Sequence, residues 1–305
     1  MSNNHLLSML RRGRATSGGG GGGSGILLAT FSATDHPETG GNLDRWTQNG
    51  VEGYNRAFVQ RAAFSGSPSG SHAYRMRWWD SIAGSGLPTG ARAEFGLILP
   101  ADYGDDLRLT WDQYIPEGEH GPALNLIPTD GLGQFKILRA WPLLEGETIS
   151  NDGSESYGGD GKMGFSEFTN GITSTYAFRY YDVGGNSSGL QGGDPWFIPQ
   201  HPVSGAKDAL YNNPVNRGVW MPMKARLKIA DVDVVNETGP STGIAQLWIN
   251  DVLTNISATD LRNYPGPTQS RDWRYVYIVG ARDTNTYTDE CVWIDNIRVY
   301  KGDFT

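Results

Sequence analysis

The chain has 305 residues with 10 Trp, 14 Tyr and 10 Phe and 38% hydrophobic content, enough for a full core in one large domain or two small ones. Glycine is abundant at 42 residues but follows no G-X-Y period, which excludes collagen. Net charge is −8; residues 1–24 hold three arginines and no acid, so removing that +3 leaves −11 on the remainder, a poor match for nucleic acid.

The first 25 residues differ in kind from the rest. Leu6, Leu7 and Leu10 fall at i, i+1 and i+4, so one helical turn presents them together, with Arg11, Arg12 and Arg14 close behind. Such a turn is too short to persist alone in water and orders only against something else. Residues 17–25, SGGGGGGSG, form a flexible tether. The expectation is an arm over 1–25 and one domain over 26–305, with Leu6, Leu7, Leu10, Arg11 and Arg12 docking to a protein assembly. The competing reading is a disordered leader. Ser8 breaks the apolar stretch and the arginines follow it, so it does not read as a secretory signal. The corresponding expectation is a chain made in the cytoplasm and either built into a particle or released by lysis. No run reaches the ~20 apolar residues of a membrane span.

From residue 26 the pattern is strand, turn, strand. Runs at 26–31, 72–78, 91–99, 107–115, 133–141, 174–181, 223–230, 244–250, 273–281 and 291–300 predict about ten strands. Alternation is clean in 107–115, where Leu107, Leu109 and Trp111 oppose Arg108, Thr110 and Asp112. Lys224, Arg226 and Lys228 likewise oppose Ala225, Leu227 and Ile229. In 133–141 the same rule puts Phe135, Ile137, Arg139 and Trp141 on one face and Lys136 on the other. The polar segments 145–171 and 182–216 carry Tyr157, Trp196, Phe197, His201 and Tyr211, too aromatic for plain disorder, and read as ordered rim loops. Cys291 stands alone, which excludes a disulfide framework and reads as a small buried hydrophobe.

The closing third carries a resemblance. Trp220-Met-Pro-Met-Lys-Ala-Arg-Leu-Lys-Ile-Ala230, Thr242-Gly-Ile-Ala-Gln-Leu-Trp-Ile-Asn-Asp-Val252 and Val292-Trp-Ile-Asp-Asn-Ile-Arg-Val-Tyr300 resemble the last strands of concanavalin A-like jelly rolls. That superfamily includes laminarinase-like hydrolases, alginate and glucuronan lyases and non-catalytic lectin-like members. Gln134-Phe-Lys-Ile-Leu-Arg139 is similar to a strand on the concave sheet of the lyase-like branch. The resemblance implies an all-β, antiparallel two-sheet jelly-roll sandwich whose last strand returns beside the first. It covers about 80 residues well, and it indicates fold more than activity.

The chemistry that such relatives need is largely missing. A retaining hydrolase needs two carboxylates about 5–5.5 Å apart, supplied in that superfamily by E-x-D-x-x-E, and no such string occurs. The alginate-lyase pattern would require R-x-E-x-R, Q-I/V-H and Y-x-K-x-G-x-Y. Arg92-Ala-Glu94 gives half of the first, Gln200-His201 are adjacent, and Tyr277-Ile-Val-Gly280 lacks the lysine. If β-elimination occurs at all, the candidates are Arg92, Lys136, Arg139, Tyr181 and His201, able to neutralise a uronate carboxylate or move its α-proton. His72, Arg75, Arg77 and Tyr180 are weaker candidates. The glycan-contact set is Arg139, Trp141, Tyr180, Tyr181 and Trp196, because sugar CH faces pack on rings while guanidinium groups bond hydroxyls and carboxylates. The plain alternative for Arg139 and Trp141 is a core face on which Arg139 meets a buried acid.

The five histidines show no zinc spacing, and no cofactor motif is present. Jelly rolls of this type do accommodate a structural calcium on oxygen ligands. Asp289, Glu290, Asp295 and Asn296 are close in sequence, but alternation scatters their side chains. The leading expectation is a non-catalytic, carbohydrate-contacting or structural jelly roll, displayed on a larger assembly such as a phage capsid or tail, with a homo-oligomer compatible with it. The second is a polysaccharide lyase acting on uronate polymers.

Overall fold

A computed structural model describes residues 26–31, 33, 45–46, 57–78, 94–99, 102–117, 133–141, 163–170, 173–180, 196–197, 216–229, 243–254, 258–261, 272–278, 282–283 and 290–304. In chain order the strands are β1 (Ile26–Phe31), β2 (Arg45–Trp46), β3 (Ala57–Ser67), β4 (Gly70–Trp78), β5 (Glu94–Ile98), β6 (Asp106–Tyr114), β7 (Gly133–Trp141), β8 (Met163–Asn170) and β9 (Thr173–Tyr180). They continue with β10 (Trp196–Phe197), β11 (Trp220–Lys228), β12 (Gly243–Ile249), β13 (Val252–Leu253), β14 (Ala258–Leu261), β15 (Tyr275–Ile278), β16 (Arg282–Asp283) and β17 (Glu290–Lys301). No α-helix occurs among the described residues.

Two antiparallel sheets result. The first runs β13-β12-β11-β6-β17-β4-β3, with β1 on β17 and β14 on β12. The second runs β10-β9-β8-β7-β15-β5-β2, with β16 on β7. The expected closure holds, since β1 pairs with β17 from Ile26↔Lys301 to Phe31↔Ile297. The fold is an all-β jelly-roll sandwich. One expectation is corrected: the segments 145–171 and 182–216 are not loops throughout, because β8 ends the first and β10 lies within the second. Gly164 and Ser166, set between and after Met163 and Phe165, leave only a short apolar alternation in β8.

Period-two patterning builds the core. Leu107, Leu109 and Trp111 of β6, Met223, Ala225 and Leu227 of β11, and Val292, Ile294, Ile297 and Val299 of β17 pack against Leu138, Ala140, Met163, Phe165, Val276 and Ile278 of the second sheet. Each large apolar side chain contributes about 1.5–3 kcal/mol on full burial. Trp273, wholly buried beside β15, ties the layers together: its Nε1 donates to the Asp105 carbonyl at 2.7 Å and the Leu227 carbonyl at 3.0 Å. Cys291 is buried, as its setting in the sequence suggests.

Asp295 holds one end of the sandwich. The register of β17 against β6 shifts between Asp295 and Arg298, and Asn296 takes φ +49°, so Ile294 and Ile297 both reach the core. The fully buried Asp295 carboxylate accepts from Ala33 N at 3.0 Å, from Ser69 N at 3.0 Å and from Ser67 Oγ. It thereby fastens the tip of the β3–β4 hairpin onto the last strand. At the other end Gly302, φ +91°, turns the chain back. Phe304 then packs on Trp248 and Tyr300, with ring centroids at 5.6 and 6.1 Å, while Asp303 pairs with Arg108.

Candidate functional site

On the second sheet one lateral row of register partners faces away from the core. Val276 and Ile278 of β15 enter the core cluster, as do their partners Ala140 and Leu138 on β7. Tyr277 and Arg139, paired with each other between them, therefore lie on the opposite face. The row extends on both sides: Tyr277 pairs with Gly96 on β5, Arg139 with Gly164 on β8, Gly164 with Arg179 on β9, and Arg179 with Trp196 on β10.

Arg139, Tyr275 and Tyr277 are 1%, 1% and 2% exposed. Two glycines give them room. A Cβ at Gly96 would stand 2.9 Å from the Tyr275 ring, and one at Gly164 would stand 2.6 Å from Arg139 Cγ and 2.7 Å from the Leu138 carbonyl. The Tyr275 ring thus lies over β5 and the Arg139 stem lies over β8, both folded down along the sheet. A guanidinium and two phenols share one shielded face, where a low local dielectric strengthens any charge-assisted hydrogen bond they make.

The structure revises the face assignment made from β7. Its register against β8 shifts between Lys136, which pairs with Ser166, and Leu138, which pairs with Phe165. Ile137 is the extra residue of this bulge and joins Leu138 in the core cluster instead of sharing the face of Arg139. Lys136 moves to the register parity of Arg139, since Ser166 and Gly164 are two apart on β8. Trp141 pairs with Tyr275 and has that parity too. Tyr180 pairs with the core residue Met163 and takes the core parity; its neighbour Arg179 occupies the row. Arg92, Tyr181 and His201 lie outside the described residues, as do Leu6, Leu7, Leu10, Arg11 and Arg12. His72 and Arg75 are on β4 in the first sheet, away from this row. Tyr275 was not singled out from the sequence, and Tyr277 entered only as an incomplete match to a lyase motif.

The calcium candidates are otherwise engaged. Asp295 accepts three protein donors, and Asn296 Nδ2 donates at 2.8 Å to Asp112 Oδ2. Burial pushes the Asp112 carboxyl above its ordinary pKa; the Asn296 bond opposes this and the neighbouring Asp295 charge adds to it. Asp289 and the side chain of Glu290 lie outside the described residues. No group of three or more His, Cys, Asp or Glu able to hold a metal occurs among the described residues, and no described helix is long and apolar enough to cross a membrane.

No family model and no curated protein matches the chain. Solved structures similar to it include the alginate lyase vAL-1 from Chlorella virus, at 10% identity and TM-score 0.49, covering 80% of this chain and 89% of that one. The alginate lyase Aly36B aligns at 14% identity and TM-score 0.43 over 88% of this chain and 95% of that one. A carbohydrate esterase from the Shiga toxin-encoding bacteriophage phi24B aligns at 13% identity and TM-score 0.42, over 92% and 100%. What the structure itself gives is the architecture: two antiparallel sheets, with the first strand paired to the last.

Proposed function

We propose that the chain is a carbohydrate-contacting jelly-roll domain that holds a uronate-bearing polysaccharide on the outer face of its second sheet without cleaving it. The observation that carries this reading is the Arg139–Tyr277 pair, flanked by Gly164 and Gly96 on the face opposite the core. A guanidinium is the side chain best matched to a carboxylate, through paired N–H donors, and phenols offer both an apolar face and a hydroxyl to a sugar ring. Trp196 holds the far end of the same register row, and Trp141 is the register partner of Tyr275. Titration calorimetry with an alginate hexasaccharide tests it. Arg139→Met is expected to weaken binding about ten- to hundred-fold, from the ~1.5–3 kcal/mol of a hydrogen bond to a charged group. Equal binding by wild type and variant would refute it.

One observation favours a second reading, a polysaccharide lyase. The bulge at Ile137 gives Lys136 the parity of Arg139 and Tyr277, so a neutralising cation and a proton-transferring phenol share one face. Ultraviolet absorbance of the unsaturated product on incubation with alginate separates the two. The first reading predicts none, and robust product abolished by Tyr277→Phe would establish the second.

We also read residues 1–25 as the arm through which the domain joins a larger assembly, such as a virion surface. Deleting residues 1–16 is expected to leave the thermal midpoint unchanged and remove the domain from that assembly. Unchanged occupancy would end the idea.

A further inference from the structure

The first sheet carries a row of its own on the face away from the core. Trp220 of β11, Tyr114 of β6 and Trp293 of β17 lie side by side in register, followed by Arg75 of β4. All four are half-buried. Tyr114 and Trp220 have ring centroids 5.5 Å apart, and the Arg75 guanidinium lies 5.6 Å from the Trp293 ring. At the opposite end the Glu117 side chain lies against Gly218, two residues before Trp220. Adjacent strands are about 4.8 Å apart, so the two tryptophans span roughly 10 Å, the length of a disaccharide.

Two features indicate that this row is built to be covered by a ligand. The first is the Trp220 indole Nε1, which is buried and has no hydrogen-bond partner among the described residues. A buried donor without an acceptor is costly and calls for one. The second is Phe64, whose ring meets Tyr114, Trp220 and Trp293 edge-on at 4.9, 5.2 and 4.9 Å. Phe64 comes from the stretch of β3 where pairing with β4 breaks between Ala63 and Ser67 and where Gly66 takes φ +89°. It sits over the row, on a hairpin whose tip is held by Asp295.

We propose that the Trp220–Tyr114–Trp293 row is a second glycan-contacting site, for neutral sugars, capped by Phe64 in the free protein. Flat apolar faces with a guanidinium at one end, a carboxylate at the other and an unused N–H between them suit a molecule with CH faces and hydroxyl edges. Glu117 repels a uronate carboxylate, which separates this site from the Arg139 row. The inference does not rest on the Arg139 reading.

The test is tryptophan fluorescence and calorimetry on the full chain with cellohexaose, laminarihexaose and mannohexaose. At least one is expected to bind and to quench the fluorescence. Trp220→Phe keeps an aromatic ring, smaller than the indole, but loses the N–H and is expected to weaken that binding about five- to ten-fold. Phe64→Ala removes the cap and is expected to tighten it several-fold, because a larger fraction of molecules is binding-competent. An alginate hexasaccharide should not displace the neutral ligand. The proposal is overturned if no neutral probe binds wild type or Phe64→Ala, if Trp220→Phe binds as wild type, or if alginate competes. It is likewise overturned if sedimentation shows a dimer that Trp293→Ala dissolves, since the row would then be an interface between copies.

Discussion

Replacing Asp295 by alanine removes the acceptor for three donors at once. Ala33 is fully buried and Ser67 is 7% exposed, so Ala33 N and Ser67 Oγ are left without water as a substitute; Ser69 N lies nearer solvent and loses less. Two buried donors left unmade cost about 1–3 kcal/mol each, giving roughly 2–6 kcal/mol in total. That is a large part of the ~5–15 kcal/mol that stabilises a typical domain. At roughly 2–4 °C per kcal/mol for a domain of this size, the thermal midpoint should fall by about 4–24 °C. Asp295→Asn keeps one acceptor but points an N–H₂ at existing donors, and should fall between wild type and alanine. Chemical denaturation followed by far-ultraviolet circular dichroism and tryptophan fluorescence measures this. A loss below about 0.5 kcal/mol for Asp295→Ala would refute the claim that this carboxylate fastens the β3–β4 hairpin to β17.

Gly164→Ala should cost about 1–3 kcal/mol, because its Cβ meets the Leu138 carbonyl, which is backbone and cannot swing away. Gly96→Ala should be milder in stability and should displace the Tyr275 ring, visible as a change in near-ultraviolet circular dichroism. Burial tends to raise the Asp106 carboxyl, but hydrogen bonds and charge from Arg226 and Arg108 outweigh it and hold it below its ordinary pKa. The stability it supplies is therefore present above the unfolded carboxylate pKa of about 3.9 and disappears as pH falls through the lower folded value. Wild type should lose this contribution in acid titration while Asp106→Asn should not. Phe304→Ala should cost about 1–2 kcal/mol from lost packing on Trp248 and Tyr300, whereas Asp303→Ala should cost under about 0.5 kcal/mol, because Asp303 is 62% exposed.

These outcomes bear on how much of the molecule is legible in its sequence. The sandwich itself was, because Leu107, Leu109 and Trp111 and the β11 run alternate without interruption, and the β17 motif closes against β1. The site was legible only in part. Arg139 could be picked out, but the parity of its neighbours could not, since one extra residue at Ile137 reverses the face of everything before it, and residue types do not reveal a bulge. The face taken by Tyr275 and Tyr277 was hidden because Tyr-Val-Tyr-Ile is buried at every position, so hydrophobicity alone does not separate the phenol face from the core face. Asp295 stood out in the sequence only as one of several acidic neighbours that alternation scatters; its partners come from positions 226 to 262 residues away, beyond any local pattern.

The most direct test of the account is a crystal structure of the chain grown with an alginate tetrasaccharide. The account predicts a uronate carboxylate on the Arg139 guanidinium, with a sugar ring against Tyr275 or Tyr277 and the chain running along the row from Gly96 towards Trp196. An oligosaccharide bound elsewhere on the chain, with no sugar at Arg139, would contradict it.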